Sequence, residues 1–407
     1  MQGSLKYTDN IKITMDTVII KIYSPHNFRI SNWSLFLPEI VKRKYEDLSS
    51  TERSSTHPYL RRFVLHPKLQ EEYLPRVELF EALTEDRKDI RHILKIEFSV
   101  PKLLYWNSLQ EAGENDEQRV YLYLKSALER VSIYVEIETI KNATLSSVHA
   151  CKNIPLPKTI KMREVINELA KMDINKAFDI SDKQCKKGAR VLNIYSGTID
   201  WSFYDKISDS LRPKNKRSDK GRINQERAVI ERYGLQNREV FRYEYRIKKS
   251  QTIKREINGL LNRKYETKVT FKDLFTPNLL KTLILNSWHS LIDRPENQLS
   301  LFNTIDKLGL FLHILSEAKK KGEKAHSMNN ALISYGLATA IRDHGVKEVR
   351  GAMFDIWDTD HPERLTKKIR KASELTKGLP YSNNISFIDT ALERFELINL
   401  TSLEKGI

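Results

Sequence analysis

Arg190-Val-Leu-Asn-Ile-Tyr-Ser-Gly-Thr-Ile-Asp-Trp-Ser-Phe-Tyr-Asp-Lys206 reads as a β-hairpin that turns at Ser196-Gly197-Thr198. A later stretch, Val240-Phe-Arg-Tyr-Glu-Tyr-Arg-Ile-Lys248, reads as a further strand of the same sheet. Side chains alternate across a strand, so Ser202, Tyr204 and Lys206 are expected on one face, with Trp201 and Phe203 on the other. The later strand divides the same way: Phe241, Tyr243, Tyr245 and Ile247 against Arg242, Glu244, Arg246 and Lys248. A phenol, a lysine, a carboxylate and two arginines then share the polar face of one sheet. Such a set suits phosphodiester chemistry, with an oxygen nucleophile, an acid able to hold a metal ion, and cations that grip phosphates.

Outward from this pair, other elements are expected on both sides. Residues 17–22 and 93–100 alternate as strands, residues 117–130 and 161–172 repeat as helices, and residues 132–147 form a long β-type run. Residues 26–90 carry dense charge and scattered prolines and suggest no regular element. Beyond about residue 250 the apolar spacing becomes three and four, predicting helices at 272–288, 299–319, 329–344, 346–357 and 362–373. The fold class expected is α+β: an antiparallel central sheet with flanking helices over residues 1–265, then a helical carboxy-terminal domain over residues 266–407.

The chain of 407 residues carries a formal charge of +16. The excess is local: 18 Lys/Arg stand against 8 Asp/Glu between Asp205 and Lys264. Clustering of that kind points to a polyanionic partner such as DNA, against the plainer alternative of a well-solvated surface. Residues 212–225 concentrate it further, with Arg212, Lys214, Lys216, Arg217, Lys220 and Arg222 in an apolar-poor segment. That segment is either an exposed loop or an arm that meets DNA backbone. The apolar fraction of 40% and charged fraction of 30% describe a globular chain, and no run of about 18 apolar residues predicts a membrane span. The N-terminal stretch does not read as a secretory signal. The two cysteines, Cys151 and Cys185, have no metal-binding spacing, so reduced thiols in a cytoplasmic protein are expected.

Four stretches together resemble the replication initiators of filamentous phages, which are relatives of rolling-circle plasmid initiators and, more distantly, of HUH endonucleases. They are Met15-Asp16-Thr17-Val18-Ile19, Glu97-Phe98-Ser99-Val100-Pro101-Lys102-Leu103-Leu104, Tyr195-Ser196-Gly197 with Phe203-Tyr204-Asp205-Lys206, and Phe241-Arg242-Tyr243-Glu244-Tyr245-Arg246-Ile247. Residues 345–368 are similar to the small helical unit such initiators carry. The resemblance implies a DNA-nicking endonuclease and strand transferase. Its tyrosine would attack one strand at an origin, form a 5′-phosphotyrosine and later rejoin the displaced strand. It also implies DNA as partner, a host helicase and polymerase as further partners, and Mg²⁺ or Mn²⁺ as cofactor.

Departures from the family pattern bear on the metal. Asn142 stands where the family usually carries an acid, Tyr105-Trp106-Asn107 replaces Gly-His-Asn, and no His-x-His occurs. On the resemblance, Tyr204 is the nucleophile with Lys206 beside it and Tyr195 as competitor. Glu244, Glu97 and Asn142 are the metal-ligand candidates, and Arg242, Arg246 and Lys248 bind DNA along with the basic segment. Each has a plainer reading. Tyr204 alone would be a half-buried sheet tyrosine, and Glu244 between two arginines a salt-bridge ladder of small energetic weight. His149 reads as structural; His289, His313, His344 and His361 are assigned no role. The alternative function is a non-catalytic, sequence-specific plasmid or phage origin-binding protein whose helical tail reads a major groove.

Overall fold

A computed structural model of the chain describes residues 14–39, 59–65, 73–83, 89–174, 178–184, 190–212, 225–303, 306–321, 327–357 and 362–405. Its centre is a ten-stranded antiparallel sheet of order β3-β4-β5-β6-β1-β8-β12-β11-β10-β9. The strands are β1 (Met15–Tyr23), β3 (Phe36–Glu39), β4 (Tyr59–Leu65), β5 (Arg76–Leu83), β6 (Ile90–Ser99), β8 (Thr144–Pro155), β9 (Asp179–Gln184), β10 (Arg190–Tyr195), β11 (Ile199–Asp205) and β12 (Val240–Ile247). A separate pair joins β2 (Arg29–Ile30) to β7 (Ile133–Tyr134).

The hairpin forms as its alternation dictates. Phe203 pairs with Tyr243, Ser202 with Glu244 and Tyr204 with Arg242, so the apolar and polar sets of β11 and β12 coincide across the ladder. On the apolar face the Phe203 and Tyr243 rings stack at 5.4 Å, and Trp288 meets Tyr243 at 5.6 Å from the helix Leu279–Ile292. Phe271 joins Phe98 and Tyr121 further along the same core. Burial of these large rings, with the aliphatic side chains around them, holds the sheet to its helices.

Two stretches fold otherwise than expected. Among the described residues of 26–90 lie the strands β2, β3, β4 and β5. The β-type run 132–147 is split into β7, a helix Ile137–Lys141 and the start of β8. Ile140, Ala143 and Leu145 are all buried, a spacing that a single strand cannot place on one face. β-branched residues draw the run toward a strand; burial of that staggered set decides otherwise.

The carboxy-terminal part is helical, but the hydrophobic core does not divide near residue 265. Phe271, Leu283, Trp288, Ile385, Ile388 and Phe395 belong to the core of the sheet. A second core is built from Leu299, Leu310, Ile314, Ala338, Ile341, Ile369 and Leu375 on intervening helices. Polar contacts seat this unit on the sheet body. Lys171 Nζ donates to the Arg342 carbonyl at 2.8 Å, and Arg350 pairs with Asp173 at 3.1 Å.

Gly345 lies at this seam with φ +89°, and a Cβ there would come within 3.0 Å of the Lys171 carbonyl oxygen. Backbone strain and a clash with backbone both fall on any side chain. Gly345→Ala is therefore expected to cost about 1–3 kcal/mol in chemical denaturation. A loss below about 0.5 kcal/mol would mean the junction adjusts freely.

Candidate active site on the polar face of the sheet

The polar face converges on Glu244. Its Oε1 accepts from the Tyr204 hydroxyl and from Arg242 Nε at 2.6 Å, and its Oε2 accepts from Arg246 Nε at 2.7 Å and from Arg246 Nη2. Arg242 reaches on to Asp16 Oδ2 at 2.8 Å, the Ser108 carbonyl at 2.9 Å and Asn153 Oδ1 at 3.1 Å. One guanidinium thus links β12, β1, β8 and the loop after the helix Val100–Tyr105. Asp16 is presented by a β-bulge. Between the pairs Met15–Ala150 and Val18–Val148, β1 carries one more residue than β8, which lets Met15 and Val18 both face the core while Asp16 turns away. Ser99 on β6 donates to the other side of Asp16, at 2.5 Å from Oδ1.

The lysine arrives by a different route from the one the alternation implies. β11 ends at Asp205, whose carboxylate caps the helix Lys206–Leu211 by accepting from the backbone of Ile207 and Ser208. Lys206 is the first residue of that helix. Its ammonium lies 3.8 Å from Glu226 Oε1, with Lys102 at 3.6 Å from the same oxygen. Both lysines still act on the site, since their charges help to hold Asp16 ionised.

The electrostatics follow from burial. Tyr204 is 8% exposed and Arg242 fully enclosed. Burial, then the Glu244 charge, raise the Tyr204 phenol well above its ordinary range. Burial also works against ionisation of Glu244, yet Arg246, Arg242 and the Tyr204 hydrogen bond outweigh it and hold the carboxyl well below its usual value. Burial opposes ionisation of Asp16 in the same way, and Arg242 chiefly reverses it. His149 pairs with Arg246 across β8 and β12. Burial and the Arg246 charge press its imidazole from 6.5 down to about 4.

These shifts set a pH dependence. The unfolded chain protonates His149 near 6.5 whereas the folded one resists until about 4, so stability falls as pH drops through that window. Below it, loss of the Glu244 charge continues the trend, because its folded value is depressed. Melting temperature should decline from pH 7 to pH 4, with a shallower slope in His149→Gln. An identical slope in that variant would remove His149 from the account.

The other expected site residues are spread out. Tyr195 pairs with Asp200, four residues from Tyr204, or about 13 Å along the strand, and is 38% exposed near the hairpin turn. Lys248 turns back to Asp200 at 2.6 Å and to the Ser196 carbonyl at 2.7 Å, closing the turn end of the sheet. Glu97 pairs with Ile19 on β1. It is three strands from Glu244, about 14 Å by strand spacing alone. Asn142 is not on a strand. It ends the helix Ile137–Lys141, bonds back to Glu138 at 2.7 Å, and precedes Cys151, the partner of Glu244, by roughly 30 Å of extended chain. Glu244, Glu97 and Asn142 therefore do not form one ligand set. Arg212 lies 3.9 Å from Asp209, while Lys214, Lys216, Arg217, Lys220 and Arg222 fall outside the described residues.

Asp16 and Glu244 are the acids brought together, and neither fits a hard dication as arranged. Both Glu244 oxygens accept from Tyr204, Arg242 or Arg246, Asp16 Oδ1 accepts from Ser99, and Asp16 Oδ2 is ion-paired with the Arg242 guanidinium that stands between the two acids. A metal-capable group occurs elsewhere: His289, Asp389 and Glu393 place ligand atoms within 4.8 Å of one another on the helices Leu279–Ile292 and Asn383–Arg394. Sequence reading gives His289 no role, since its partners lie about a hundred residues away. It leaves Asp16 without a role as well, and the one signal there is an acid just before the apolar run Val18-Ile19-Ile20.

The chain matches no protein-family model, no curated protein and no solved structure. Among the described residues, no helix is long and apolar enough to cross a membrane.

Proposed function

We propose that the protein is a DNA-nicking strand transferase of the rolling-circle initiator type, with Tyr204 as nucleophile. The observation that carries this reading is the Tyr204 hydroxyl donating to Glu244 between two arginines on the polar face of an antiparallel sheet. In the reaction the Tyr204 oxygen bonds to phosphorus and its proton passes to the Glu244 oxygen it already touches. The bond from phosphorus to the 3′-oxygen breaks, and that oxygen takes a proton from water. The reverse attack by a 3′-hydroxyl closes the displaced strand and returns the phenol.

Arg242 is fixed by four partners and holds Glu244 and Asp16 in place. Arg246 keeps 31% of its side chain exposed and is the member able to leave Glu244 for phosphate. With Arg246 on the phosphate, Glu244 loses the larger of the two arginine charges that depress it and becomes a stronger base for the phenol proton. Host helicase and polymerase would act on the released 3′ end, in the cytoplasm, on a phage or plasmid replicon.

One observation favours the second reading, an origin-binding protein without catalysis. Tyr204, Glu244 and Arg242 are buried and pair with one another and with Asp16, as members of a structural polar core do. Incubation with the supercoiled replicon, followed by denaturing electrophoresis, separates the two. A relaxed plasmid with protein bound to its 5′ end supports nicking, and retarded but intact supercoils support binding alone.

A further inference from the structure

The helix Pro362–Thr376 turns Leu365, Ile369, Ala372 and Leu375 into the second core. That burial fixes which face is left outside. Arg364, Lys367, Lys368 and Arg370 are exposed and Lys371 is half-buried, so five cations and no acid fall within eight residues. At about 1.5 Å per residue they span roughly 10 Å of helix. Arg364, Lys367, Lys368 and Arg370 make no ion pair with any described residue. The nearby acid Glu374 is engaged by Lys321 at 3.5 Å. The acids Glu363 and Glu374 flank the run at i,i+4 spacings from Lys367 and Arg370, yet neither forms an ion pair with those cations among the described residues.

We infer that this helix is a docking surface for duplex DNA. Duplex DNA presents one charge per about 1.7 Å, and its major groove admits one helix, so the width and charge spacing of this face suit it. The unit is also anchored: Arg350–Asp173 and Lys171–Arg342 tie it to the sheet body. The duplex surface does not depend on the nicking reading.

The test uses the full chain with Arg364, Lys367, Lys368 and Arg370 all changed to Gln, and a charge-keeping control that exchanges Lys and Arg at the same positions. All four positions are exposed, so melting curves should match the wild type. Anisotropy titrations on a 30-base-pair duplex at several salt concentrations should show the Gln variant binding at least tenfold more weakly. Its log–log salt slope should be shallower by roughly 0.9 for each phosphate that the variant leaves unneutralised. The control should bind within about threefold of wild type. Adduct formation on a single-stranded oligonucleotide should be unchanged in the Gln variant.

An unchanged slope in the Gln variant overturns the inference, as does an equal drop in affinity in the charge-keeping control. So does binding of the helix to anionic vesicles in preference to duplex. A wild type that forms no adduct on any DNA, yet shows the slope change, ends the nicking reading and leaves the duplex surface standing.

Discussion

Arg242→Ala is expected to destabilise the fold by about 3–5 kcal/mol, the usual consequence of removing one partner from a buried ion pair. The arginine is fully enclosed, and it neutralises two carboxylates on different strands, at 2.8 Å from Asp16 and 2.6 Å from Glu244. Its loss leaves Asp16 with no other ion pair among the described residues, and Glu244 with Arg246 alone. It also removes hydrogen bonds to the Ser108 carbonyl and to Asn153. Against a total stability of roughly 5–15 kcal/mol, such a loss brings the protein near its unfolding threshold at 37 °C.

Arg242→Lys keeps the charge but not the planar fork that reaches four acceptors, so an intermediate loss is expected. The carboxylates of the alanine variant should protonate more readily, which would move its acid unfolding to higher pH. Urea denaturation at pH 7 and pH 5 measures both effects. A cost below about 1 kcal/mol would show that Arg242 does not hold the strands together.

The sequence discloses the polar face because β11 and β12 alternate cleanly, and a two-residue period leaves one possible partition of Tyr204, Arg242, Glu244 and Arg246. It does not disclose what surrounds them. Asp16 reaches the site through a bulge, and a bulge has no periodic signature. Motif order groups Glu97 and Asn142 with Glu244, but strand order decides distance in a sheet, and β6 and β12 are separated by β1 and β8. Lys206 falls on the polar face only if the strand is continued past the residue where the Asp205 side chain begins a helix. The helical half is legible in outline because caps and glycines mark its ends. Which of its helices belong to the sheet core is not, since an amphipathic stripe tells that a helix is buried but not against what.

Tyr204→Phe is expected to abolish the covalent protein–DNA adduct, at least a thousandfold in rate, while leaving binding within about twofold. The phenol oxygen is the reacting atom, and phenylalanine keeps the ring that occupies the same space. Removing the hydroxyl leaves Glu244 Oε1 still bonded to Arg242, so no acceptor is orphaned and the fold should lose no more than about 1.5 kcal/mol. That asymmetry separates chemistry from structure: a large loss of adduct with a small loss of stability is the pattern of a nucleophile. Glu244→Gln supplies the complementary case, because the amide keeps the shape but accepts a proton poorly. Its adduct rate should fall by about 10²–10⁴ and its dependence on pH should shift, as expected when a general base is lost. Tyr195→Phe, on an exposed side chain about 13 Å along the sheet, should nick at the wild-type rate. Denaturing gels of labelled oligonucleotide with the three variants decide the matter. If the adduct survives Tyr204→Phe and disappears in Tyr195→Phe, the nucleophile stands at the open turn of the hairpin, and the enclosed Tyr204–Glu244 pair serves the fold alone.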